Sequence, residues 1–358
     1  MFRITMIPAD HGDCLWIEVG KAAAPNQILI DAGTPGTYKR LKKLIKERFG
    51  DKPAHFDLFV ITHIDSDHIG GAIPLLEDRD VTFGDIWFNG WKHIIEKLPK
   101  DDRLGAKQAE LVIGLLAERK LAWNKAFKGK AVVLEDGPIA VDLDGVKITL
   151  LSPYREQLHT LVKKWKDELI AGKIVDEKGN LLKPALRAKK IRDLLGGGLL
   201  NVDALLQSPF EGDPGAANGS SIAFLMEYAG TRVLFTGDAH APVLMKSLAK
   251  LPKAQRKIAA FKVAHHGSKN NTSEELLALL DCPRYLISTS GAQFSHPDRA
   301  AIARIVNRRS PDAQLYFNYQ TKFNEIWTSA VAQRNYHFKS VYPEAKGECV
   351  VVDLTPSM

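Results

Sequence analysis

Cysteine is scarce in this chain of 358 residues, which contains three, at positions 14, 282 and 349. An odd number without paired spacing argues against a disulfide framework and against a zinc knuckle, so we expect three buried thiols. Long apolar runs are also missing, and because none approaches the roughly 18 residues of a transmembrane helix we predict no membrane span. The N-terminus lacks a basic segment followed by an apolar one, so we expect no secretory signal and a cytoplasmic location.

A strong excess of one charge is absent as well. The chain has 49 Lys and Arg against 42 Asp and Glu, for a formal net charge of +7. Such mild basicity permits an anionic substrate but does not demand one. Hydrophobic residues make up 45% of the chain and charged residues 25%, the balance of a soluble globular protein. The length suits a large two-layer domain with an insertion.

The densest cluster of reactive side chains lies in the stretch 62–71, THIDSDHIGG. It places two imidazoles and two carboxylates within six residues, after an apolar run at 58–61 that predicts a buried strand. Carboxylates this close repel each other, and a divalent cation removes that repulsion. The stretch therefore predicts a metal site where a strand ends.

The same pattern, an apolar strand followed by an abrupt polar exit, occurs four times. The exits are Asp31, the stretch from His63 to His68, Asp238, and the pair His265 and His266. If these strands lie side by side in a sheet, their exits meet at one edge. Residues far apart in the sequence are therefore predicted to form one site.

These exits supply ligands for two ions. His63 and Asp65 are two residues apart in extended chain, so their side chains point the same way and can chelate one ion. Asp67 and His68 can turn toward a second ion, and the two oxygens of Asp238 can bridge both. Two cations about 3.5–4 Å apart lower the pKa of a bridging water and clamp both oxygens of a displacement.

Either His265 or His266 can close the second site. We favour His265 as the ligand and His266 as a donor beside it. Mixed nitrogen and oxygen ligation suits Zn²⁺, and the high share of carboxylates also admits Mn²⁺. His296, which precedes Pro297, is either a site residue or a helix-entry residue, and His11 with Asp13 could form a loop at the rim.

The pattern His63-x-Asp65-x-Asp67-His68-x-Gly-Gly resembles the signature of the metallo-β-lactamase superfamily. The usual superfamily form has histidine where this chain has Asp65, and an aspartate there is similar to the soluble domain of ComEC-type competence proteins. Further motifs of that group match at Gly12-Asp13 and at residues 30–33, 218–221, 236–238, 265–268 and 296–297. The resemblance covers roughly residues 1–320.

The resemblance implies an α/β fold, an αββα sandwich of two mixed sheets with helices outside and metals at one edge. Residues 1–320 would form this domain, interrupted at about 154–215 by a helical, lysine-rich insertion. We interpret that insertion as an arm, as a lid over the site, or as a solvated helical excursion. Residues 321–358 would form a C-terminal extension packed on the same domain.

The superfamily usually has a further histidine before the bridging aspartate, and this chain offers Asn218 in that region. Amides are weaker ligands, so we expect one or two divalent ions, Zn²⁺ or Mn²⁺. The competence proteins also have a membrane channel that this chain lacks, so a role in DNA uptake does not carry over.

The resemblance further implies a metal-dependent hydrolase in which a metal-activated hydroxide attacks the substrate. We predict Asp67, His266 and His296 as catalytic residues, with Asn218, Ser268 and Asp31 holding the substrate or supporting the ligands. The favoured substrate is a phosphodiester, nucleic acid included. The alternatives are a small ester, lactone or thioester substrate and, from another class, a non-catalytic metal-binding sensor or interaction module.

Overall fold

The computed structural model describes residues 1–90, 93, 107–171, 200–308 and 313–355, without the side chains of 107 and 164–171. Within these residues the chain forms two sheets flanked by helices. The strands are β1 Phe2–Met6, β2 Leu15–Lys21, β3 Ala24–Ile30, β4 Ala54–Val60, β5 Val81–Trp87, β6 Ile139–Leu143, β7 Val146–Ser152, β8 Ala223–Tyr228, β9 Thr231–Phe235, β10 Ala260–Lys262, β11 Arg284–Ile287, β12 Ala313–Phe317, β13 Phe338–Val341 and β14 Val350–Asp353. The α-helices are α1 Tyr38–Phe49, α2 Ser66–Ile69, α3 Ala72–Glu77, α4 Lys107–Glu118, α5 Arg155–Ala171, α6 Val202–Leu206, α7 Ala216–Gly219, α8 Ala241–Ala249, α9 Glu274–Ala278, α10 Arg299–Val306 and α11 Ala330–Asn335.

The first sheet has six strands in the order β14-β1-β2-β3-β4-β5. Its pairs are antiparallel from β14 to β3, and β3, β4 and β5 are parallel to one another. Parallel strands are covered on both faces and need apolar side chains throughout. The run 58–61 meets this requirement, and all four of its residues are buried.

The second sheet has eight strands in the order β13-β12-β11-β10-β9-β8-β7-β6. The strands from β13 to β9 are parallel, and those from β9 to β6 are antiparallel. Both sheets are therefore mixed. In each sheet two neighbouring parallel strands, β3 with β4 and β9 with β10, direct their carboxyl ends toward one edge.

The two sheets pack face to face around one apolar core. This core combines Phe2 and Val60 of the first sheet with Phe224, Phe235 and Leu286 of the second. Two further buried clusters lie between the outer faces of the sheets and the helices. Four layers result, and the predicted αββα sandwich is confirmed.

The C-terminal residues are part of both sheets. β13 is the edge strand of the second sheet, and β14 pairs with β1 at the edge of the first. Residues 321–355 thus contribute a strand to each of the two sheets.

The predicted insertion at 154–215 is described only in part. Its first helix is α5, its later part contains α6, and residues 172–199 lie outside the described residues, so its interpretation as an arm or a lid stays a prediction. Among the described residues, none of the helices combines the length and the apolar character needed to cross a lipid bilayer.

Candidate metal centre

The four predicted strand exits meet at one edge of the sandwich. Asp31 follows β3 and its backbone N–H donates to the carbonyl of Val60 at 2.8 Å, which ties it to β4. The carbonyl of Thr62 accepts from the N–H of Ile222 at 2.9 Å, which joins the exits of the two sheets. The predicted convergence of these exits is therefore observed.

Unusual backbone conformations aim the side chains at this edge. Asp31, His265 and His266 have positive φ angles of 56°, 47° and 56°. Non-glycine residues adopt such angles rarely, and they concentrate where function requires a fixed orientation. At Gly237 a Cβ would lie 2.9 Å from the Cβ of Thr62, so only glycine allows the exits of β9 and β4 to approach this closely.

One group of ligand-type atoms surrounds His68. Its Nε2 lies 3.2 Å from the Nε2 of His266 and 3.4 Å from Oδ1 of Asp238. Oδ2 of Asp67 lies 3.4 Å from the Nε2 of His266. All four side chains are buried. Asp67, His68 and Asp238 thus lie together as predicted ligands of the second half-site, and His266 lies closer to His68 than the favoured His265 does; that these residues bind a metal stays a prediction.

Hydrogen bonds behind the imidazoles determine which nitrogen faces the site. Nδ1 of His68 lies 2.8 Å from Oδ2 of Asp31, and Nδ1 of His266 lies 2.8 Å from the carbonyl oxygen of Ser288. Both acceptors hold a proton on Nδ1, which leaves a lone pair on each Nε2. Two lone pairs 3.2 Å apart repel unless a proton or a metal ion lies between them, so this pair of nitrogens can hold a metal ion in place of a proton.

A second group of atoms surrounds His63. Its Nε2 lies 3.5 Å from Oδ2 of Asp65 and 3.8 Å from Oδ2 of Asp238, while its Nδ1 is 3.0 Å from Oγ1 of Thr62. Oγ1 of Thr62 in turn donates to Oδ2 of Asp31 at 2.8 Å. The side chain of Asp65 is 35% exposed, so this first half-site opens toward solvent.

Two of these buried atoms have no hydrogen-bond partner: Nε2 of His63 and Oδ1 of Asp238. Unpaired buried polar atoms are costly, and a cofactor that they bind removes that cost. With imidazole nitrogens and carboxylate oxygens as donors, the set fits one or two divalent metal ions. Within the described residues, the atoms of Asp13, His68, Asp238 and His266 lie within 4.8 Å of one another.

His265 is not directed at His68, although the sequence analysis favoured it as the ligand of the second half-site. Its Nδ1 lies 3.1 Å from Oδ2 of Asp213 and 3.0 Å from Oδ1 of Asn271, and its Nε2 is 3.7 Å from Oδ2 of Asp238. It therefore lies beside Asp238, and its ring centroid is 5.9 Å from that of His266. The geometry favours His266 as the ligand of the second half-site, because its Nε2 is the nitrogen directed at His68.

Asn218 belongs to the same network as His265. Its Nδ2 donates to Oδ2 of Asp213 at 2.8 Å, and Nδ2 of Asn271 donates to that oxygen at 2.9 Å. The amide nitrogen of Asn218 is thus engaged with Asp213, in keeping with its prediction as a supporting residue.

A buried ion pair supports the centre from the inner side. Nζ of Lys262 lies 2.6 Å from Oδ2 of Asp13, with both side chains almost fully buried. Oδ1 of Asp13 is 3.3 Å from Nδ1 of His266. Asp13 lies within 4.8 Å of the ligand-type atoms of His68, Asp238 and His266. Its ion pair with Lys262 and its position on the Nδ1 side of His266 suit a role in supporting the ligands.

Two other predicted residues lie at the rim. The ring of His296 is buried, its centroid is 5.3 Å from that of His265, and its Nδ1 is 3.6 Å from Oδ2 of Asp298. Oγ of Ser268 accepts from the N–H of Asn270 at 3.2 Å, so this hydroxyl stabilises a turn beside the histidine pair. The catalytic role of His296 and the substrate role of Ser268 stay predictions.

The charges of the centre are strongly coupled. Burial opposes ionisation of Asp238, but His68, His265 and His266 hold the pKa of this carboxyl well below its usual range. Burial alone would lower the pKa of His266, yet Asp238 and Asp13 raise it to about 10. The negative charge of the carboxylates therefore dominates, as a cation-binding site requires.

Sequence reasoning missed three residues that organise the site: Asp213, Lys262 and Asn271. A signal existed for Lys262, since a lysine inside the apolar run 260–264 is unusual for a buried strand and implies a buried partner. Asp213 falls within the region predicted as an insertion, and nothing in its local sequence indicates the contact with His265.

Comparison with known proteins agrees with this arrangement. Residues 9–147 match the family model described as the metallo-beta-lactamase superfamily. A segment of 123 residues is 28% identical to ComE operon protein 3 of Bacillus subtilis (strain 168), covering 34% of this chain and 16% of that protein. The match therefore spans a small part of that relative's length.

Two solved structures are similar over most of the chain. One is a candidate metal-dependent hydrolase from Parabacteroides distasonis ATCC 8503, with 15% identity, a TM-score of 0.36 and coverage of 96% of this chain and 94% of the other. The second is the metallo-beta-lactamase fold protein YhfI from Bacillus subtilis, with 10% identity, a TM-score of 0.36 and coverage of 98% of each chain.

The family match covers β2 to β5 of the first sheet, the stretch 62–71 and β6 of the second sheet, and the remaining ligand-type side chains of the same edge, Asp238 and His266, lie beyond it. The chain is therefore similar to the metallo-beta-lactamase superfamily over residues 9–147, and Asp65 lies within the matched segment.

Proposed function

We propose that this protein is a metal-dependent hydrolase that cleaves phosphodiester bonds. One observation carries the proposal: the carboxylate of Asp238 faces both half-sites. Its Oδ1 lies 3.4 Å from Nε2 of His68, and its Oδ2 lies 3.8 Å from Nε2 of His63. A carboxylate shared in this way suits two cations, the arrangement used for in-line displacement at phosphorus.

Six side chains would hold the ions: His63 and Asp65 on one side, Asp67, His68 and His266 on the other, and Asp238 between them. Bound divalent ions would supply positive charge for the developing oxyanion and lower the pKa of a coordinated water. The chain's own residues would orient the ligand side chains and limit the access of bulk water. Asp31 and the carbonyl of Ser288 fix His68 and His266, and burial keeps the inner half-site dry.

Asp213 fixes a further group at the centre. Because its Oδ2 accepts from Nδ1 of His265 at 3.1 Å, the Nε2 of that ring is left facing Asp238. This nitrogen could hold or move a proton near the scissile bond. His296 lies next to it at the rim. Both positions agree with a role at the substrate side of the ions.

The choice of a phosphodiester is supported by the carboxylate-rich ligand set. The formal net charge of +7 is compatible with an anionic substrate. Three of the six ligand side chains are aspartates, which suits the hard cations used in phosphoryl transfer.

The test compares substrates on one preparation. Chelator-treated protein, reloaded with Mn²⁺ or with Zn²⁺, is assayed on bis-p-nitrophenyl phosphate, single-stranded DNA, RNA, p-nitrophenyl acetate and a simple lactone. We expect phosphodiester turnover with at least one metal, weakening with ionic strength on the nucleic acids. Asp67→Ala should abolish turnover without unfolding the protein. Asp142→Ala, at an exposed position of β6, is the matched control.

Three outcomes would contradict the proposal. Faster hydrolysis of the acetate or lactone than of every phosphodiester would assign an ester hydrolase. Turnover that Asp67→Ala leaves unchanged would place the chemistry elsewhere. Absence of turnover on all five substrates, in a protein that still binds metal, would favour a non-catalytic module.

A further inference from the structure

An exposed aromatic ring lies among the histidines of the metal centre. Phe294 is 40% exposed, on the segment between β11 and α10. Its ring centroid is 6.1 Å from that of His11, 6.1 Å from that of His296 and 6.5 Å from that of His265. The contacts with His11 and His265 are edge-on. One part of the ring thus packs on the centre while another part meets solvent.

The location of this ring is distinctive. Six large hydrophobic side chains are exposed in the described part of the chain: Leu111, Ile139, Phe210, Phe294, Val331 and Val351. Of these six, Phe294 is the one whose ring lies against histidines beside the metal centre, namely His11, His265 and His296. Single exposed apolar residues are ordinary on a protein surface. An aromatic ring held beside a polar, carboxylate-rich site could contact a ligand that binds there.

The segment that carries Phe294 is fixed in place. The N–H of Ser290 donates to the carbonyl of Asp10 at 2.6 Å, and the N–H of Ser295 donates to the carbonyl of Gly291 at 2.9 Å. Gly291 has a φ of 71°, and a Cβ there would lie 2.2 Å from Cδ2 of Phe323. The ring is therefore presented from an ordered turn, which reduces the entropy lost on binding.

The choice of a planar occupant follows from the geometry of aromatic contacts. An exposed aromatic face stacks on any nucleobase, because every base has a π-face. Single-strand-binding sites combine such rings with a groove that receives the backbone. Here the ring stands 6.5 Å from the ring of His265, whose Nε2 is 3.7 Å from Oδ2 of Asp238 in the proposed phosphodiester-cleaving centre. A base attached to the scissile phosphate could reach it.

We propose that Phe294 is a stacking surface for the nucleobase next to the scissile phosphodiester, so that the substrate is a nucleotide or a nucleic acid. This proposal rests on the proposed function and specifies its substrate class. Phe294 contributes to substrate binding and takes no part in bond cleavage. Substitution of Phe294 should therefore change the binding affinity, and only for ligands that carry a base.

The experiment measures binding instead of turnover. Isothermal titration calorimetry compares adenosine 5′-monophosphate with ribose 5-phosphate, which has the phosphate and sugar without the base. The metal-loaded wild type should bind the nucleotide about tenfold more tightly, at the lower end of base–aromatic stacking. Phe294→Ala should remove that difference, and Phe294→Trp should retain it. Val351→Ala, exposed on β14, is the matched control and should behave as wild type.

Phe294→Leu separates stacking from plain apolar contact. Loss of most of the tenfold difference in this variant supports stacking. Retention of the full difference overturns it in favour of a non-planar apolar contact. Equal binding of the two ligands by the wild type overturns this inference and leaves the proposed function standing. Failure of both ligands to bind, together with absence of phosphodiester turnover, overturns both.

Discussion

Asp31 lies behind the metal centre, where it supports ligands of both half-sites. It accepts from Nδ1 of His68 directly, and through the hydroxyl of Thr62 it reaches Nδ1 of His63. Its side chain is fully buried, so it has no direct access to a substrate. Of the two roles that the sequence left open for Asp31, the observed contacts fit the support of ligands.

Asp31→Asn should weaken metal binding by about 10- to 100-fold, because the amide cannot orient two imidazoles as a carboxylate does. Competition with a chromophoric chelator measures the change. Asp142→Asn removes an exposed carboxylate far from the centre and should leave the affinity unchanged. An Asp31→Asn protein with wild-type affinity would show that Asp31 does not support the ligands.

We expect the buried ion pair of Lys262 and Asp13 to stabilise the fold. Lys262→Met leaves the carboxylate of Asp13 buried without a counter-charge, which should lower the free energy of unfolding by about 3–5 kcal/mol. Urea denaturation in the presence of a chelator measures this loss without a contribution from metal. Adding Asp13→Asn removes the orphaned charge and should recover part of it. A double variant less stable than Lys262→Met would refute the pairing.

At the scale of elements, the strands were predictable and the turns after them were not. The sequence shows the apolar runs of β3, β4, β9 and β10 and the polar residues that follow them. It also predicts that these residues meet at one edge. The choice between His265 and His266 depends on two consecutive positive φ angles, which no local pattern specifies. Asp213 joins the site from a region whose composition predicts an insertion, either an arm, a lid over the site or a solvated helical excursion. Its role depends on a contact with His265, which is distant in the sequence.

The facing strands β4, β8 and β9 supply the core that keeps these exits together. Phe224 of β8 is fully buried, and its ring contacts Trp87 and Phe235. Phe224→Ala should cost about 3–5 kcal/mol of stability, because the packed sheets cannot close the cavity. Thermal or urea unfolding measures it. Val351→Ala on the exposed face of β14 should change stability by less than about 0.5 kcal/mol, and equal losses would contradict the assigned core.

At the scale of the whole molecule, the sandwich is joined across its full length. β14 pairs with β1, so that Asp353 is the register partner of Arg3. The sequence predicted a C-terminal extension packed on the domain, yet it could not show that this extension completes an edge of each sheet. Strand partners are chosen by tertiary packing, and a short alternating run such as 350–353 fits many edges.

The two sheets bring together, from residues 31 to 266, side chains that have no reason to be buried side by side unless they bind a cation. The central claim is therefore that Asp238 joins two half-sites for divalent metal. It is tested most directly by the metal content of the purified protein, measured by elemental analysis after equilibration with Zn²⁺ or Mn²⁺ and dialysis. The wild type should retain between one and two equivalents of at least one metal, and Asp238→Asn, folded by circular dichroism, should retain far less. A wild type that retains neither metal, or a variant that retains as much as the wild type, would contradict the account.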